Sequence, residues 1–200
     1  MSILYTILIA LSNNIDNIGA RIALSIKGIK ISNLINLWIS CITFVISLAA
    51  ACVGEWLHGQ INWNICKYIS FTIFLVMGVC MICEPYYKTW KKNRGKKSNQ
   101  LVNIIENPEE ADINKSKDID FKEATLLGIA LSINNVGGSF SAGMIGLNSW
   151  LIGIFSAAVS FIALWAGNYL SSLSRKFRLA SREGFLSGII LILIALRQIL

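Results

Sequence analysis

Two short stretches, each inside an apolar run, carry the side chains best suited to chemistry: Ile15-Asp16-Asn17-Ile18-Gly19 and Ile133-Asn134-Asn135-Val136-Gly137. Polar groups are costly within a bilayer, so their recurrence at matching places in two halves points to one shared interior site. The first copy keeps a carboxylate, Asp16; the second has the amide Asn134 in its place. At about 100° per residue, Asn13, Asp16 and Asn17 share a helix face, with Asn14 beside them. In the second copy Ser132, Asn134 and Asn135 supply hydroxyl and amide oxygens. The run Gly137, Gly138, Ser139, Ser141, Ala142 and Gly143 permits close helix approach or an unwound backbone with free carbonyls.

An oxygen-rich pocket of this kind suits hard cations such as Mn²⁺, Mg²⁺ or Ca²⁺, whereas Cu(I) would call for thiolates and thioethers. A monovalent cation or a proton also fits. The candidate cation ligands are Asp16, Asn13, Asn17, Asn134 and Asn135. The competing explanation is interhelical packing, where an Asn or Ser hydrogen bond contributes about 1 kcal/mol or less. For any one Asn, packing is the simpler account. For Asp16 it is not, because an ionisable group in mid-span costs more than packing requires.

The elements that must position these residues are transmembrane helices. Of 200 residues, 54% are hydrophobic and 14% charged, which is the balance of a membrane protein. A span needs roughly 20 helical residues, and six segments meet that length: 2–26, 34–57, 64–83, 124–145, 150–170 and 184–200. The expected fold is therefore an all-α polytopic membrane protein with two three-helix units, 1–83 and 124–200. Between them, 84–123 reads as a flexible charged cytosolic loop with few core-forming residues, its end near Asp120 capping the fourth helix. Met1 to Ala10 has neither a basic n-region nor a small-residue cleavage pattern, so it is expected to stay as part of the first span.

Fifteen of the eighteen Lys and Arg fall in the first, third and fifth connections. By the positive-inside rule those connections are cytoplasmic and both termini lie outside. Three spans per unit make the second unit enter from the opposite side, so the echo implies an inverted repeat with its motifs near a midplane axis. A nucleic-acid binder would explain the net charge of +7 only if its basic residues lined a folded face; here they flank apolar runs. The expected partners are the bilayer and a metal cation, not nucleic acid, and a homo-oligomer is left open.

The remaining features read as structural. Arg21 lies 140° from Asp16 on an ideal helix and near the cytoplasmic end, which favours snorkelling over pairing. Cys80 and Cys83 form a CxxC with no second pair, so packing is favoured over a zinc or redox site. The tryptophans sit near span ends as interfacial anchors, Glu55 and Glu84 lie close to water, and Gly184/Gly188 has helix-packing spacing. With no phosphate loop, triad or paired catalytic carboxylates, the chain does not read as an enzyme, and no cofactor is called for.

The segments ALSNNIDNIGARIALSIKGIKI, ADINKSKDIDFKEATLLGIALSINNVGGSFSAG and GFLSGIILILIALRQIL resemble the manganese efflux pump (MntP-type) family, particularly its sporulation membrane protein branch. The resemblance spans nearly the whole chain. It implies six spans in two three-helix halves, manganese as transported substrate, and an acidic residue in each half within a pattern like LSxDxxGxG. Asp16 and Gly19 fit the first copy, while Asn134 departs from the acid in the second. Arg21 stands where the family has small or apolar residues. Losing one carboxylate weakens a divalent site. Two readings follow: a cell-membrane cation exporter working by alternating access, or a sporulation-associated membrane protein that keeps the fold without transport.

Overall fold

The computed structural model describes residues 2–91, 100–174 and 183–199. Among these the chain is helical throughout, with α1 (Ser2–Asn14), α2 (Asp16–Ile26), α3 (Asn33–Gln60), α4 (Trp63–Lys91), α5 (Gln100–Glu106), a 3-10 turn (Pro108–Ala111), α6 (Phe121–Met144), α7 (Ser149–Ser174) and α8 (Glu183–Ile199). Three described stretches are long and apolar enough to cross a membrane: Asn33–Gln60, Trp63–Cys83 and Ser149–Gly167. The protein is thus all-α, with several membrane-length helices, and three rather than six of the expected spans meet that standard. The reasons are local. The expected first span is divided at Ile15 into α1 and α2; α6 is diluted by its Asn, Ser and Gly; and α8 has only 17 residues, Glu183–Ile199.

Helices from the first part of the chain pack mainly on helices from the second. The most extensive pairing is α3 on α6, followed by α4 on α8, α3 on α7 and α2 on α7, while α3 and α4 touch little. Directions follow from which residues meet. In α1 and α6, Asn13 lies against Gly138 and Asn14 against Asn135, so these helices are antiparallel. Asn36 reaches Phe161 in α7 while Phe44 lies against Gly153, and Gly78 meets Ile192 in α8 while Gly188 meets Ile82; both pairs are again antiparallel. By contrast α3 runs parallel to α6, as α2 does to α7. Exchanging α1–α2 with α6, α3 with α7 and α4 with α8 maps this scheme of partners and directions onto itself.

Two connections repeat the correspondence. Gly28 and Gly146, twelve residues after Asp16 and Asn134, both have φ +77°. Each closes its helix with the same turn: Gly28 N–H to Ser25 O (3.0 Å) and Ile29 N–H to Leu24 O (3.0 Å), then Gly146 N–H to Gly143 O (2.9 Å) and Leu147 N–H to Ala142 O (3.1 Å). Glycine adopts this left-handed conformation without the penalty a Cβ would bring.

The apolar interior forms two clusters. One, around Leu24, Ile31, Ile39, Leu127 and Leu164, lies toward the α2–α3 connection; the other, around Ile9, Phe74, Ala142, Ile152 and Leu191, lies toward the opposite end. Residues 100–120, expected within a flexible loop, fold over the first cluster. Ile104, Ala111 and Ile119 are buried in it, and Lys30 pairs with the incoming chain through Lys30 N–H to Lys117 O (2.8 Å) and Ile119 N–H to Lys30 O (3.1 Å). Three well-spaced apolar residues suffice here, although charge dominates the segment's composition. The expected cap is present: Asp120 accepts from Lys122 N and Glu123 N at 2.9 Å, and Glu123 Oε2 accepts from Asp120 N at 3.1 Å, completing a capping box. The basic residues Lys92, Arg94, Lys96, Lys97, Arg175, Lys176, Arg178 and Arg182 lie outside the described residues.

Where α3 crosses α6, Gly54 faces the Phe140 carbonyl and Gly143 faces the Ala51 carbonyl, closer than any side chain would allow. Gly143→Val should therefore force the crossing apart and cost about 1–3 kcal/mol, read by equilibrium unfolding of the detergent-solubilised protein. Val53→Leu, on the exposed side of the same helix, should leave the unfolding midpoint unchanged.

Candidate cation site

Between the two apolar clusters lies a layer of buried polar side chains. Asn13, Asn14, Asn17, Thr43, Ser132, Asn135 and Ser160 are all fully buried, and most are joined. Asn14 Oδ1 accepts from Asn17 Nδ2 (3.2 Å) and from Asn135 Nδ2 (3.1 Å). Asn17 Nδ2 also donates to Ser160 Oγ (3.0 Å). Thr43 Oγ1 lies 3.0 Å from Ser132 Oγ and 3.4 Å from Ser160 Oγ. The network therefore links α1, α2, α3, α6 and α7, as buried polar groups require.

The two echoed motifs meet. Asn134 Nδ2 donates to Asp16 Oδ2 at 2.5 Å, a contact that joins α6 to the α1–α2 break. The break itself is mild: Ile15 keeps right-handed helical angles (φ −68°, ψ −28°), and Ile18 N–H bonds Ile15 O at 3.2 Å. It sets Asp16 in the first turn of α2, where the helix dipole favours a carboxylate. The unwinding considered for the glycine-rich copy does not occur, since α6 is continuous through Met144.

The five candidate ligands separate into two groups. Asn13, Asn17 and Asn135 lie in the interior, whereas Asp16 is half-buried and Asn134 is exposed at the bundle's side. Asn13 packs against Gly138 so closely that a Cβ there would overlap its amide, and neither polar atom of Asn13 has a hydrogen-bond partner. The Oδ1 atoms of Asn17 and Asn135 are likewise unpartnered and shielded. Asp16 is the one carboxylate of the set, and among the described residues no three His, Cys, Asp or Glu converge on one point. Sequence reasoning missed Thr43 and Ser160. The signal was polar residues at helical spacing, Asn36, Ser40, Thr43 and Ser47 along α3 and Ser156 and Ser160 along α7.

Other polar groups settle into structural places. Arg21 is only 3% exposed; it reaches toward the expected end of the span but donates to the Ile29 carbonyl (Nη1, 3.2 Å) instead of emerging into water. Glu55 accepts a short hydrogen bond from Ser149 Oγ, and His58 Nδ1 lies 3.0 Å from Met144 O. Cys80 and Cys83 are free and exposed on α4, with no disulfide among the described residues. Trp38 donates to Thr125 Oγ1 (3.0 Å) at one end of the bundle, while the exposed Trp56, Trp63 and Trp150 lie at the other. Gly188 packs against the Gly78 backbone as its spacing suggested; the surroundings of Gly184, Glu84 and Trp90 lie outside the described side chains.

An all-helical, multi-pass membrane protein with a layer of buried polar side chains between two apolar clusters is the class that fold and site define together. Residues 56–200 match the Mntp family model, described as "Putative manganese efflux pump", and the chain belongs to that family. It is also similar to the "Probable sporulation protein YtaF" of Bacillus subtilis (strain 168), with 25% identity over 211 residues covering 98% of this chain and 99% of that protein. No solved structure matches the chain.

If the layer acts as one network, its members are energetically coupled. Thr43→Val and Ser160→Ala should each destabilise by about 1 kcal/mol, and the double variant by less than the sum. A double-mutant cycle in mixed micelles measures the coupling; strict additivity would mean that the two hydroxyls act separately.

Proposed function

We propose that this protein is a cell-membrane secondary exporter of a hard cation, with Mn²⁺ as the favoured substrate, working by alternating access at Asp16 and Asn134. The observation that carries the reading is the meeting of the two motif copies through the Asn134 amide and the Asp16 carboxylate. Asp16 supplies the charge that binds the ion and exchanges it for a proton. Asn13, Asn17, Asn134 and Asn135 supply amide oxygens, three of which are shielded and unpartnered in the interior. Family membership and the mixed amide and carboxylate chemistry support a hard cation.

The reading extends to architecture. Six spans form two inverted three-helix repeats, 1–83 and 124–200, joined by the cytosolic segment 84–123. Its support is the exchange symmetry of helix partners, with α1–α6, α3–α7 and α4–α8 each antiparallel as an axis in the membrane plane demands. Both termini then lie outside the cytoplasm, and impermeant labelling of cysteines placed at either end should modify intact cells.

A second reading has its own observation. Asn134 donates to Asp16, so the two motifs meet as donor and acceptor, where two carboxylates would need a cation or proton between them. A sporulation-associated membrane protein that keeps the fold without transport would look the same. Manganese tolerance separates the two. Under the exporter reading, expression in manganese-sensitive cells lowers cell manganese and restores growth, Asp16→Ala abolishes both effects, and Asn134→Asp strengthens them. Under the alternative, the wild type gives no protection and Asp16→Asn is silent.

A further inference from the structure

The segment that covers the connector end of the bundle contains a pattern unrelated to the membrane motifs. Residues 112–123 read Asp-Ile-Asn-Lys-Ser-Lys-Asp-Ile-Asp-Phe-Lys-Glu. Oxygen-bearing side chains stand at the first, third, fifth, seventh, ninth and twelfth places. That is the ligand order of a twelve-residue calcium loop, in which the seventh place contributes its carbonyl, the ninth acts through water and the twelfth is a bidentate Glu. The template differs at two positions: Ser116 replaces Asp or Asn at the fifth, and Lys117 replaces Gly at the sixth.

The folded loop matches this register. Asp112 Oδ1 and Asn114 Oδ1 both accept from Ser116 N (3.0 and 2.8 Å), and Asp112 Oδ2 accepts from Lys117 N (3.0 Å), so the oxygens turn into the loop. Lys117 has φ +65°, the conformation for which the template reserves glycine. At the eighth place Ile119 is buried and pairs with Lys30 of the α2–α3 connection. Asp120, at the ninth, caps the exiting helix α6.

A separate observation points to a cation. Glu123, at the twelfth place, is 3% exposed. Its carboxylate faces back into the loop, where Oε1 meets Ile113 N (2.9 Å) and Asn114 N (3.2 Å). Among the described residues its charge has no cationic partner, since the ion pair there is Lys27–Glu109. A buried charge is ordinarily paired or bound to metal. Carboxylates alone do not cluster at this point, nor need they, because amide, hydroxyl and carbonyl oxygens complete such a set.

We propose that residues 112–123 form a Ca²⁺-binding loop, distinct from the membrane layer, with ligands from Asp112, Asn114, Ser116, the Asp118 carbonyl, Asp120 through water, and Glu123. Ion binding braces the start of α6 against the α2–α3 connection. The reduced carboxylate count and the lysine at the sixth place put the dissociation constant at ~10⁻⁵–10⁻³ M. The test is calorimetric titration of CaCl₂ into the chelator-treated full chain in detergent, with MgCl₂ and MnCl₂ titrated in parallel. One site that prefers Ca²⁺ is expected. Asp112→Ala and Glu123→Gln should weaken it by roughly tenfold or more, and Gln at 123 keeps the capping box. Lys117→Gly should tighten it severalfold, an outcome that misfolding cannot mimic. Asp16→Asn should leave it unchanged. The proposal is overturned if the wild type takes up no Ca²⁺ to about 10 mM, well above the weakest sites of this class. It is equally overturned if Lys117→Gly and Asp112→Ala leave affinity unaltered, or if binding disappears with Asp16→Asn.

Discussion

Hydrocarbon offers no hydrogen bonds, so polar side chains placed midway along apolar helices must find one another inside the bundle. In this protein that requirement organises the middle of the molecule. Asn14, Asn17, Thr43, Ser132, Asn135 and Ser160 come from helices far apart in sequence, and their hydrogen bonds fix which helix neighbours which. The apolar clusters above and below fill space with Leu, Ile and Ala, through contacts that carry little direction of their own. The polar layer adds direction, because a shift strands donors and acceptors where water cannot replace the lost partner.

The same constraint explains the Asp16–Asn134 contact. Two acceptors facing each other at that place would repel unless a cation or proton stood between them; an amide turns the pair into donor and acceptor. The substitution keeps the crossing of the motifs and alters what the crossing asks of its surroundings.

Much of this was legible in the sequence. Polar runs within apolar segments are conspicuous, so the two motifs and their kinship stood out, as did the helices carrying them. The α1–α2 division was not, because Ile15 is neither Pro nor Gly and its backbone angles remain helical. Thr43 and Ser160 were hidden for another reason: a single hydroxyl in a helix ordinarily bonds its own preceding turn, and Thr43 does also reach Ile39 O (3.1 Å). The cap over the connector end was masked by composition. Ile104, Ala111 and Ile119 are sparse among charges, yet each fills the space left by the helix ends beneath it. Arg21 was placed near the right end of its helix but given water in place of the Ile29 carbonyl.

The crossed pairing of helices bears on how the chain is made. Synthesis delivers α1 to α4 first, yet the largest contact surfaces of α3 and α4 belong to α6, α7 and α8. Until those emerge, the early helices have only local partners for their amides and hydroxyls, such as Ala10 O for Asn14 and Ile39 O for Thr43. Assembly must then proceed as an interleaving of late helices among early ones rather than as the docking of two finished halves. A ribosome stalled after the fourth helix would hold a nascent chain with membrane-embedded segments and almost no tertiary structure.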